Sequence, residues 1–95
     1  MVIINKIKEK IIRCEYEFTI PHFFEEMAND NLVFADIKTA IAHGRIRRKF
    51  TRDPRGIRYE VVGTSTDGRE IGIICRIKST GRLLLITAYA LEDVK

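Results

Sequence analysis

His22 follows Pro21 at the start of an amphipathic segment, with Glu25 and Glu26 three and four positions on. An imidazole there serves as acid or base near neutral pH. The positive start of a helix disfavours its protonated form, and a carboxylate one turn later opposes that effect. His43, just before Gly44, ends another helical segment and suits a capping role. Between positions 45 and 58 stand Arg45, Arg47, Arg48, Lys49, Arg52, Arg55 and Arg58, opposed there by Asp53 and no other carboxylate. Guanidinium binds phosphate through two parallel hydrogen bonds, so this run suits nucleic acid; it equally suits an acidic protein. Arg76 interrupts the apolar run IGIICRI and needs either a partner or an exit to solvent. Tyr89, near the end of the last apolar segment, can pack its ring while its hydroxyl reaches the rim. Tyr59 shares the parity of Ile57 and Val61 and reads as a core aromatic.

Other chemistries lack their residues. The two histidines form neither HxH nor HxxxH, and Cys14 and Cys75 form no CxxC pair, so no metal is expected. Both cysteines sit among apolar residues and read as buried thiols. There is no phosphate-cradling glycine loop, nucleophile elbow or cofactor motif, so no cofactor is expected. The 95 residues, 45% apolar, predict one folded domain over 1–95. No apolar run approaches the roughly 18 residues of a membrane span. The apolar start Met1–Ile4 is interrupted by Lys6, Lys8, Glu9 and Lys10, unlike a signal sequence. The expectation is a cytoplasmic protein without membrane attachment. Net charge is +4, unevenly spread: residues 1–43 hold five Lys/Arg against seven Asp/Glu, and residues 44–95 hold twelve against six.

The elements that must position these residues follow from periodicity. Ile3, Ile4, Ile7, Ile11 and Ile12 recur at helical spacing over 2–13. In EYEFTI (15–20) Tyr16, Phe18 and Ile20 alternate with polar residues, as in a short strand or extended lead-in. A helix follows from Pro21 to the Asn29-Asp30-Asn31 break, and a second over 32–43, stopped by Gly44. From there the period becomes two. Strands are expected at 45–51 with Ile46 and Phe50 inward, and at 57–65, 69–78 and 83–90. Asp53-Pro54-Arg55-Gly56, Asp67-Gly68 and Ser79–Arg82 are their turns. This predicts an α+β fold: N-terminal helices on one face of a C-terminal four-stranded antiparallel meander, the other face partly open. Regular alternation puts Arg45 and Arg47 on one side of the first of these strands and Arg48 on the other, unless a bulge intervenes.

An ordered set of short matches resembles the DUF4258 family, which is related at fold level to the BrnT and RelE/ParE toxin superfamily. The set comprises a His-headed helix at His22–Met27, a second helix over Asp36–His43, and Gly44-Arg45-Ile46. It continues with Asp53-Pro54-Arg55-Gly56, Tyr59-Glu60-Val61-Val62-Gly63, Asp67-Gly68-Arg69 and Ile86-Thr87-Ala88-Tyr89. The likeness covers residues 15–91 as an α+β core, with residues 1–14 an extra N-terminal helix outside it. Phe23 and Glu26 depart from the family pattern, which has Ala after the His and Arg just before the Met.

The resemblance implies a RelE-like sheet and a toxin-like endoribonuclease, or an inactive relative, acting on RNA or at the ribosome. The implied reaction is attack of a 2′-hydroxyl on the neighbouring phosphate. His22 or Glu26 would be the base, Arg76 with Arg47 or Arg48 would hold the developing charge, and Tyr89 would donate a proton. The alternative is a binding module without chemistry, whose arginine patch contacts nucleic acid or an acidic antitoxin-like protein. The isoleucine stripe of the first helix would either seal the core or form a homodimer contact.

Overall fold

In the computed structural model, which describes residues 2–91, the chain runs α1 (Ile3–Ile12), β1 (Tyr16–Phe18), α2 (His22–Asn29), α3 (Phe34–Ala42), β2 (Arg45–Phe50), β3 (Arg58–Thr64), β4 (Glu70–Ile77) and β5 (Leu83–Ala90). The three hairpins after Gly44 pair β2, β3, β4 and β5 in succession, all antiparallel. Beyond β5 lies β1, parallel to it, giving the order β1-β5-β4-β3-β2. The expected four-stranded antiparallel, RelE-like sheet is thus corrected to a five-stranded mixed one. The reason is physical. A meander ending at β5 would leave its most apolar strand with an unpaired edge. The extended lead-in fills that edge: Leu83 N–H donates to the Glu15 carbonyl at 3.0 Å and Thr19 N–H to the Leu85 carbonyl at 3.1 Å. Three residues whose partner lies 67 positions later give no local sign of pairing.

The helices cover one face. α1 buries Ile7 and Ile11, α2 Phe23 and Met27, and α3 Ile37, Ala40 and Ile41, against Val61, Ile73, Leu85 and Ala88 of the sheet. The stripe of α1 therefore faces the core, although Ile12 lies off it and is exposed. α3 comes so near β3 that a Cβ on Gly63 would stand 2.0 Å from the Ala40 carbonyl oxygen, which accounts for glycine at the end of that tyrosine-bearing strand. The β3–β4 turn fastens the helices to the sheet. Arg69 donates to the carbonyls of Asp30 and Asn31 at 2.7 and 3.0 Å. Asp36, buried in the first turn of α3, accepts from Val33 N–H and from the Thr66 N–H and hydroxyl.

Two bulges reset which residues face which way. In β2 the register shifts between Ile46, paired with Val61, and Arg48, paired with Glu60. In β5 it shifts between Leu85, paired with Cys75, and Thr87, paired with Ile74. One extra residue inverts every later side chain on its strand. Arg48, Phe50, Thr87 and Tyr89 are thereby turned to the face that, among the described residues, carries no helix. Phe50 is corrected from inward to this open face, where it pairs with Arg58. Cys14 is also corrected: it is exposed, in a left-handed turn (φ 58°) after α1 and off its apolar stripe, whereas Cys75 is buried.

Candidate functional site

The open face is built around Glu60. Its neighbours in β3, Tyr59 and Val61, point to the helices, so Glu60 points away from them, yet its side chain is only 4% exposed. A buried carboxylate is costly unless fully paired. Arg47, the bulge residue, supplies a fork, with Nε donating to Oε1 at 2.7 Å and Nη2 to Oε2 at 3.0 Å. Arg48 Nε stands 3.5 Å from Oε1. The Tyr89 hydroxyl donates to Oε2. To reach it, the Tyr89 ring crosses the intervening strand at Gly72, where a Cβ would lie 2.7 Å from the ring carbons. The hydrogen bond to Glu60 holds the Arg47 guanidinium even above its usual range.

A second group of cations lies at the β2–β3 hairpin. Asp53 accepts from Arg55 N–H at 2.9 Å and has Arg55 Nε at 3.3 Å and Arg58 Nε at 3.4 Å. The backbone N–H of Arg55, then its side chain, hold the Asp53 carboxyl below the usual carboxylate range. Lys49, Phe50, Arg52, Asp53, Arg55 and Arg58 line a cleft of about 490 Å³. The Arg58 guanidinium sits 5.4 Å from the centre of the Phe50 ring. Its Nε is buried without a hydrogen-bond partner among the described residues. Arg76 is the cross-strand neighbour of Arg58 and donates from Nη1 to the Arg55 carbonyl at 2.9 Å. Among the described residues, no carboxylate lies within 4.0 Å of Arg45, Lys49 or Arg52, all three exposed.

The sequence-predicted residues thus fall into groups. Tyr89 meets Arg47 and Arg48, and Arg76 adjoins Arg55 and Arg58, all on the open face. His22 and Glu26 stay together on α2, with Nδ1 3.9 Å from Oε1 and both side chains part-exposed. That helix packs Phe23 and Met27 on the opposite face, so the sheet stands between this pair and Tyr89 or Arg76. Sequence reasoning missed Glu60, which stood only as one residue of the Tyr59–Gly63 match. The available signal was a carboxylate sharing its parity with Val62 and flanked by Tyr59 and Val61 within the strand.

Among the described residues, no three His, Cys, Asp or Glu side chains come together as metal ligands, and no helix is long and apolar enough to cross a membrane. A family model, Domain of unknown function (DUF4258), matches residues 20–90, and the chain belongs to that family. The four meander strands lie within the match, whereas α1 and β1 precede it. No curated protein and no solved structure matches the chain, so the expected RelE-like architecture gains no support from a neighbour.

Proposed function

We propose that this DUF4258 protein acts on RNA as a toxin-like endoribonuclease, binding the phosphate backbone along its cationic edge and cleaving it on the open face. One observation carries this reading: Arg47, Arg48, Arg58, Arg76 and the Tyr89 hydroxyl gather on the sheet face that no helix covers among the described residues. Attack of a 2′-hydroxyl on its phosphate needs donors around the phosphorane oxygens and a proton for the leaving 5′-oxygen. Arginines and a tyrosine supply both. In this reading Arg45, Lys49, Arg52 and Arg55 lead the strand towards that face and make its binding salt-dependent. His22 and Glu26, across the sheet, are not assigned to the same phosphate.

A second reading is binding without chemistry. Glu60 and Asp53 each draw two arginines, so the same guanidinium groups suit the carboxylates of an acidic protein partner. The test is cleavage and binding of labelled RNA, with and without ribosomes, at two salt concentrations, beside Arg76→Ala. Cleavage by the wild type, reduced about 100-fold in the variant, is the expected outcome. Salt-sensitive binding without cleavage would leave only the binding module, and neither signal would remove RNA from the reading.

A further inference from the structure

Glu60 draws its partners from two strands other than its own. A forked arginine fills about two of a carboxylate's four acceptor sites, and the rest call for further donors. Here two separate bulges each turn a further side chain toward it: Arg48 by the shift after Ile46, Tyr89 by the shift after Leu85. Residue 72 lacks the side chain that would block the tyrosine ring. Bulges recur beside active sites because they re-aim side chains. The result is a carboxylate, two guanidinium groups and a phenol on one face, with the cleft of the β2–β3 hairpin at its edge. The cover over the carboxylate is removable, because Arg48 is 62% exposed and comes no nearer than 3.5 Å, and Arg47 is 36% exposed.

We infer that Glu60 is the general base of a metal-independent RNA transesterification, with Arg47 and Arg48 binding the scissile phosphate and Tyr89 as the acid. The inference rests on the endoribonuclease reading above and names the base that reading lacks. When an RNA phosphate enters, Arg47 and Arg48 turn from the carboxylate to the phosphate oxygens, for which their fork is equally suited. Glu60 then takes the proton of the 2′-hydroxyl, and the 2′-oxygen forms a bond to phosphorus. The bond from phosphorus to the 5′-oxygen breaks, and that oxygen takes the Tyr89 proton. The products are a 2′,3′-cyclic phosphate and a free 5′-hydroxyl. Glu60 is left protonated and Tyr89 as phenolate. Their hydrogen bond returns the proton from carboxyl to phenolate and restores the starting state without an external acid or base.

The test uses the full chain and a labelled single-stranded RNA, alone and on programmed ribosomes, with a copy deoxygenated at the scissile 2′ position as control. Glu60→Gln is expected to lower the cleavage rate about 100-fold or more, the usual worth of a positioned base. Its RNA affinity should stay equal or increase, because two arginines are released. A merely structural Glu60 would lose affinity and thermal stability together with cleavage, and that outcome overturns the inference. Cleavage by Glu60→Gln within threefold of wild type also overturns it. Should that variant fail to fold, Tyr89→Phe decides, since it keeps the ring over Gly72 and removes only the hydroxyl. Its expected result is a cleavage loss of about tenfold or more at unchanged affinity, and undiminished cleavage overturns the inference. A wild type that cleaves nothing removes both proposals, whereas an active Glu60→Gln removes only this one.

Discussion

Behind the sheet, Ile73 and Leu85 lie wholly buried under helices; in front of it, Val62 is equally buried with no helix above it among the described residues. The rear cover is apolar and comes from α1, α2 and α3. The front cover comes from the sheet's own long side chains: the Tyr89 ring lies over neighbouring Gly72, and Arg47 and Arg48 reach across to Glu60. Apolar burial holds whether or not anything is bound. A cover of guanidinium groups can be drawn aside by another anion while the strands beneath keep their pairing. The rear face thus maintains the fold, and on the proposed function the front face exchanges its partners for an incoming anion.

The sharpest break of this contrast is Ile73→Ala. It opens a cavity among helices and strands and should cost about 3–4 kcal/mol in urea unfolding. Ile74→Ala, one residue along on the open face, should cost about 2 kcal/mol, because flexible side chains can settle into the space. Equal losses would mean that the two covers are equally rigid. Next in size, Asp36→Ala removes the acceptor for Val33 and Thr66 and should cost about 2 kcal/mol.

The same carboxylate gives a pH dependence. The Thr66 hydroxyl, then the Val33 N–H, hold Asp36 below its usual range, and Asp53 and Asp67 are lowered too. A depressed folded value stabilises above the unfolded one, about 3.9, and that stabilisation disappears as pH falls through the folded values. Unfolding free energy should therefore stay level from neutrality to about pH 5 and decline below pH 4, less steeply in Asp36→Asn. A decline beginning at pH 6 would point to other groups.

Smaller still, Glu60→Gln should cost only about 1 kcal/mol, because the part-exposed arginines it releases can turn to water. A loss of 3 kcal/mol or more, the cost of stranding a buried charge, would mean that the front cover is fixed. Thiol labelling should not alter stability at all. Cys14 is exposed and should react in the folded protein, whereas burial pushes the Cys75 thiol up to about 12 and should withhold it until unfolding.

The helices and the meander were legible because their periods are local: isoleucines at helical spacing, Asp-Gly and Pro-Arg-Gly turns, and alternation through β3 and β4. Two features were not. β1 pairs with a strand 67 residues away, and nothing in Tyr16–Phe18 records its partner. The bulges leave no compositional mark, yet each inverts the residues that follow. Regular alternation therefore assigns Arg48 away from Arg47 and leaves the Tyr89 ring in the core. Glu60 was hidden for the same reason. It becomes a centre only when side chains from two other strands are turned toward it, and parity counted along one strand cannot show that convergence.

The bulged β2 also bears on how copies of the chain meet. It is one of the two outer strands of the sheet, next to β3 alone among the described residues, and so offers unpaired backbone groups to any passing strand. An extended stranger would need a flat, uncharged border to continue the ladder. Here the border is kinked at Arg47 and flanked by Arg45, Arg48 and Lys49, so a second copy would bring like charges into register against a bent template. The irregularity that aims two arginines at Glu60 therefore also acts as a guard against fibre growth along that edge.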